Sequence, residues 1–113
     1  MATEGSTPMK PLDFIQRCVR ERRIFWTYHV NMRMKDRAIN RAMILAPVES
    51  FEIIEAYPDD KYLPSYLVHT QHSGTAIHVL FATDIEHGNV RVVTAYRPSP
   101  EEWNPDMKTR KKP

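Results

Sequence analysis

A chain of 113 residues that is 42% hydrophobic has apolar side chains for one core and is too short for two. No apolar run approaches the roughly 18–20 residues that would span a bilayer, and Cys18, the only cysteine, excludes an intramolecular disulfide. The formal net charge of +2 excludes little by itself; its distribution along the chain says more.

From Arg17 to Arg41 eight basic residues face two acids, Glu21 and Asp36, whereas from Ala42 to Val90 one base, Lys61, faces seven acids. Lys108, Arg110, Lys111 and Lys112 turn the end basic again. Such asymmetry can give a nearly neutral protein one cationic face, suited to a phosphate-bearing or acidic partner. The plainer reading is a set of solvated basic helices.

Residues 1–10 are polar, lack the apolar stretch of a secretory signal, and read as a flexible leader of a cytoplasmic protein. Pro11 suits a first helical turn, and Leu12, Ile15, Cys18 and Val19 recur at helical spacing, predicting a helix over about 11–22. Within it Cys18 reads as a small buried hydrophobe. Ile24 to His29, rich in aromatic and β-branched residues, reads as a short strand. Two short helices follow, about 30–37 and 41–50, with Asn40 as the N-cap of the second.

Beyond Ser50 the period changes to two. Strands are expected over 51–57, 65–71, 76–84 and 89–97, the last three forming an antiparallel meander. In the strand over 76–84, Ile77, Val79 and Phe81 share one face and His78, Leu80 and Ala82 the other. Pro98, Pro100 and Pro105 forbid regular structure beyond, and Trp103 is expected to anchor that tail. The class is α+β, with N-terminal helices packed on a curved antiparallel sheet.

Chemistry concentrates at the second helical stretch. His29, Arg33 and Arg37 lie four apart and stack along one helix face. An imidazole beside two guanidiniums suits a phosphodiester, since Arg grips phosphate oxygens bidentately and His moves protons near neutral pH. A charged helix face that merely meets water has the same spacing. At the last strand, alternation puts Tyr96 and Arg97 on opposite faces, one able to stack on a base, the other to hold a phosphate. His78, among apolar neighbours, reads first as a core histidine satisfied by backbone. His69, His72 and His78 make a weak metal signal, so no metal site is expected. With three glycines in all there is no phosphate-binding loop, and no serine sits in a nucleophile elbow.

Phe25 to Arg37, Glu52 to Asp60, Pro64 to Leu67, Ile77 to Val79, and Thr94 to Pro98 with Trp103, Lys108 and Arg110 together resemble domain-of-unknown-function family 4258 over about residues 11–110. The family is similar to RelE-like and BrnT-like toxins, and the resemblance implies a single RelE-like domain followed by a basic tail, 111–113. It further implies the toxin of a type II toxin–antitoxin pair, a cofactor-free and metal-independent endoribonuclease acting on mRNA, partnered by a small zinc-finger antitoxin and not by a membrane. On that analogy His29 or Tyr96 is the acid/base group, and Arg33, Arg37 and Arg97 hold the charge developing on phosphate. His78 matches the family's strand histidine, and His78, Lys108 and Arg110 are RNA-binding candidates. Ala38 stands where the family usually has glycine, implying a softer break between the two helices. The alternatives are a non-catalytic RNA- or protein-binding module using the same face, and a domain whose only task is packing against another subunit.

Overall fold

The computed structural model describes residues 9–112, so most of the expected leader and the final residue lie outside the described residues. Helix α1 (Pro11–Arg20) begins with proline in its first turn and buries Ile15, Cys18 and Val19. It stops two residues short of the expected end. Arg22 takes a left-handed conformation (φ 62°), and the Arg23 N–H bonds back to the Cys18 carbonyl at 2.8 Å, closing the helix.

Strand β1 (Ile24–Trp26) is half as long as its composition suggests. The Thr27 hydroxyl accepts the Val30 N–H at 3.0 Å, and this cap starts α2 (Tyr28–Asp36) early, so His29 is helical. Ala38 then takes φ 55°, and the Ile39 N–H reaches the Met34 carbonyl at 2.8 Å. The break between the helices is therefore sharp without glycine, at the cost of holding a Cβ in the left-handed region. Ala38→Gly is expected to stabilise the protein by about 0.5–1 kcal/mol, because relief of that strain outweighs the added freedom of the unfolded chain. A urea midpoint unchanged or lowered by the substitution would contradict this.

The Asn40 side chain caps α3 (Arg41–Leu45) by accepting the Met43 N–H at 3.0 Å, as expected. The helix does not run on to Ser50. Pro47 brings no N–H to its last turn, and the chain passes into a single 3-10 turn, Val48–Ser50.

Strands β2 (Glu52–Tyr57), β3 (Ser65–His72), β4 (Thr75–Asp84) and β5 (Asn89–Tyr96) pair antiparallel in sequence order. The sheet is nevertheless mixed, not antiparallel throughout. β1 joins β5 in parallel, giving the order β1-β5-β4-β3-β2. Irregularities between Ile53 and Glu55 and beside Leu80 and Phe81 insert extra residues, Val93 among them, and bend the sheet.

All three helices pack on one sheet face, where Ile15, Val30, Met34 and Ile44 meet Val79, Phe81 and Val92. The other face, bearing His78, Leu80 and Ala82, has no helix. Its His78 end is covered by the proline-containing segment after β5, pinned by Trp103, which is 1% exposed. No helix among the described residues is long and apolar enough to cross a membrane.

Candidate nucleic-acid interface

β1 pairs with β5 only from Val90 to Val92, so the edge of β5 beyond Val92 has no strand partner. α2 lies along that edge, and its spacing sets His29, Arg33 and Arg37 in a row beside it. Their fates differ. Arg37 donates to the Ala95 carbonyl at 2.8 Å and to the Thr94 hydroxyl at 3.4 Å, satisfying the bare strand edge. His29 and Arg33 instead line a small cleft of about 190 Å³ with Val93, Thr94 and Ala95. Neither has a hydrogen-bond or ion-pair partner among the described residues.

His29, Arg33, Arg37 and Arg97 do not gather into one open cationic pocket. Arg97 donates to the carbonyls of Arg37 and Ala38, the Ala38 contact at 3.0 Å, and so ties the end of α2 to the end of β5. Tyr96 points to the helix-free face, its hydroxyl 3.4 Å from His78 Nδ1, with burial pushing its pKa up. Arg37, Arg97 and Tyr96 are thus engaged within the fold, and only His29 and Arg33 of the proposed catalytic set stand open.

The RNA-binding candidates are engaged too. His78 is fully buried, out of reach of RNA; its Nε2 meets the Met107 carbonyl at 2.7 Å and the Trp103 ring stands edge-on to it. The core reading of this histidine is the one its surroundings fit. Arg110 stacks over Trp103 and pairs with Glu55 at 2.6 Å. That contact lowers the Glu55 pKa and raises that of Arg110. Lys108 pairs with Glu52 at 3.0 Å. Trp103, Arg110 and Lys108 form a clasp that closes the tail over the sheet.

His69, 4% exposed, lies beneath the same clasp with Nε2 unpartnered among the described residues. Burial holds both His69 and His78 below the ordinary 6.5, so the folded protein favours their neutral forms. Unfolded, they take up protons near pH 6.5. Stability from these groups is therefore complete above that pH and declines as pH falls towards their native values, by up to about 1.4 kcal/mol per pH unit for each. Thermal unfolding at pH 8, 6 and 5 should show the midpoint falling across the lower interval; a level midpoint would refute the argument.

No group of three His, Cys, Asp or Glu side chains among the described residues is placed to hold a metal. Burial raises the Cys18 thiol pKa, in keeping with a packing role.

The cleft beside His29 opens into a larger groove of about 620 Å³ across the bare half of the helix-free face; His29, Val30 and Val93 line both hollows. Leu80, Ala82 and Val93 form its apolar floor, Tyr62 and Lys61 from the β2–β3 loop one wall, and Arg91 part of its lining. Tyr62 is 85% exposed, and Phe25, the neighbour of Arg91 in the register, is 56% exposed. Nothing in the spacing of Lys61, Tyr62 or Arg91 marks them in the sequence. Strand alternation does mark Leu80 and Ala82 as sharing the face of His78, and pairing of Ala82 with Arg91 carries that face across to β5.

A family model described as Domain of unknown function (DUF4258) matches residues 26–97. The chain belongs to this family. The matched span runs from the end of β1 to the residue after β5 and so contains α2, the groove and the cleft. No curated protein and no solved structure matches the chain.

Proposed function

We propose that this member of the family is an RNA-cleaving domain, the toxin half of a type II toxin–antitoxin pair. The observation that carries the reading is the placement of His29 and Arg33, one helical turn apart and unpartnered among the described residues, at the mouth of an apolar, aromatic-walled groove. The groove chemistry suits single-stranded RNA: bases rest on Tyr62 and the apolar floor, while the phosphates meet cationic side chains at its margin.

In this reading the His29 imidazole takes the proton of a ribose 2′-hydroxyl. The 2′-oxygen forms its bond to the adjacent phosphorus, the bond from phosphorus to the 5′-oxygen breaks, and a 2′,3′-cyclic phosphate remains. Arg33 lies where a guanidinium can hold the non-bridging oxygens as charge builds on them. Arg37 and Arg97 act indirectly, by fixing α2 against β5, and Tyr96 packs with His78 on the other face.

Incubation of the purified chain with RNA, followed by a denaturing gel and analysis of the new ends, tests this. Cyclic phosphate ends and growth arrest on induced expression are expected, both relieved by His29→Ala with Arg33→Ala. Normal growth with abundant folded protein would sink the toxin reading. A neighbouring short gene encoding paired Cys-x-x-Cys motifs would supply the zinc-finger antitoxin.

The commitment of Arg37, Arg97 and Tyr96 to internal contacts favours a second reading, an RNA-binding module without catalysis. Salt-sensitive binding with RNA intact after long incubation would select it.

A further inference from the structure

The groove proposed for RNA holds one side chain that works against phosphate. Asp60, in the β2–β3 loop, is the single acid among the residues that line it. Its backbone N–H donates to the Tyr57 carbonyl at 3.3 Å, and its carboxylate accepts the Ser65 hydroxyl. Ser65 opens β3 and is 2% exposed, so a buried donor holds the carboxylate in place. No ion pair among the described residues neutralises it, for Arg91, the guanidinium of the groove, is engaged by Asp84 at 3.2 Å. Strand register sets that separation. Ser65 pairs with Ala82 and Ala82 with Arg91, so the Asp60 anchor and Arg91 stand two strand spacings apart, about 10 Å.

A fixed carboxylate repels the phosphate backbone, so what lies against it in the groove is a base edge that donates. An ionised carboxylate only accepts, through two oxygens. Ser65 takes one lone pair of one oxygen and leaves the rest free for a ligand. Guanine is the one RNA base whose Watson–Crick edge sets two donors side by side, N1–H and the 2-amino group. Adenine and cytosine set one amino donor beside a ring-nitrogen acceptor, and uracil flanks its N3–H with two carbonyls. Tyr62, 85% exposed and two residues from Asp60, supplies a ring for the base to stack on. Lys61 Nζ lies 5.4 Å from the centre of that ring, a cation for the adjoining phosphate.

We infer that the Tyr62 wall of the groove is a guanine-binding subsite, with Asp60 as the residue that selects the base. Guanine N1–H and its 2-amino group donate to the Asp60 carboxylate while the purine rests on Tyr62. His29 lines the same hollow, so a strand anchored by guanosine at Tyr62 shares one groove with the imidazole. This rests on the groove as the path of single-stranded RNA, which the cleaving and the non-cleaving readings share.

The test measures binding of the full chain to 2′-O-methyl oligouridylates, which cannot be cut, carrying one central guanosine, inosine or adenosine. Guanosine is expected to bind roughly 5–150-fold more tightly than adenosine, the range for a good bidentate contact, with inosine, which lacks the 2-amino group, between them. Asp60→Asn, which can still accept the Ser65 hydroxyl but presents an amide N–H₂, should level the three affinities at an unchanged thermal midpoint. Tyr62→Ala should weaken all three alike, because stacking is tolerant of sequence. Saturable binding with equal affinity for guanosine and adenosine would overturn the subsite alone, and needs no variant to show it. A guanosine preference kept by a folded Asp60→Asn protein would overturn the role of Asp60. Absence of binding to all three would overturn the subsite and the RNA path together, whereas guanosine preference without cleavage of all-RNA would support the subsite and sink only the enzymatic reading.

Discussion

RNA cleavage by the His29→Ala protein is expected to run about 10²–10⁴-fold slower than by the unaltered chain, the usual loss when a positioned proton-transfer group is removed. His29 lies in the first turn of a helix capped by Thr27, and its side chain is solvent-exposed. Truncation should therefore leave the fold and its melting temperature in place. Arg33→Ala should cost about 10²–10³-fold by removing charge stabilisation at phosphate. Arg37→Ala and Arg97→Ala form the contrast. Each removes charged donors to backbone carbonyls, worth about 1.5–3 kcal/mol per hydrogen bond, so their main effect should be a lowered urea midpoint. Comparison of rates among folded molecules, below the unfolding transition, separates the two classes. If Arg37→Ala abolished cleavage in a fully folded protein while His29→Ala left it intact, the assignment of roles would be reversed.

Trp103→Ala carries the largest expected effect on stability, about 3–5 kcal/mol, in the range for deleting a buried large aromatic. Its indole is 1% exposed, stands edge-on to His78 with ring centroids 4.5 Å apart, and lies under the Arg110 guanidinium. Removal opens a cavity over the sheet and releases the tail that Arg110 and Lys108 clamp to Glu55 and Glu52. His78 then loses the Met107 carbonyl beside its Nε2. Two signatures should accompany the lower urea midpoint. The amides of Asn104 and Lys111, bonded to Thr109 and Glu102 across the tail, should lose hydrogen-exchange protection, while those of β4 and β5 retain theirs relative to global unfolding. Trp103→Phe, which keeps an aromatic ring, should recover part of the loss. A Trp103→Ala protein as stable as the original would show that the tail is a passive covering.

Several elements were readable from sequence because their causes are local. Asn40 and Pro11 mark helix starts through the hydrogen bonds they can and cannot make. The period-two pattern of β4 gave both its faces, since successive side chains of a strand must alternate. Thr27 carried an equally local signal, a capping hydroxyl three residues before the N–H it accepts, but the aromatic and β-branched run around it reads as strand and masks it. Ala38 shows the limit of residue preference: the capping hydrogen bonds of α2 impose a left-handed turn on a side chain that disfavours it.

The sequence by itself determined the α+β class, the three helices and five strands in their order, the division of the β4 residues between its two faces and the anchoring role of Trp103. Each of these follows from the spacing of apolar groups or from the backbone chemistry of single residues. Tertiary structure alone decided that β1 joins β5 in parallel, that Arg37 and Arg97 serve backbone carbonyls, and that His87 and Arg91 both meet Asp84. A guanidinium or an imidazole has the same chemistry wherever it lies in the chain. Which partner it finds depends on segments brought together by burial of the common core, and neither charge nor periodicity encodes that meeting in any one stretch of sequence.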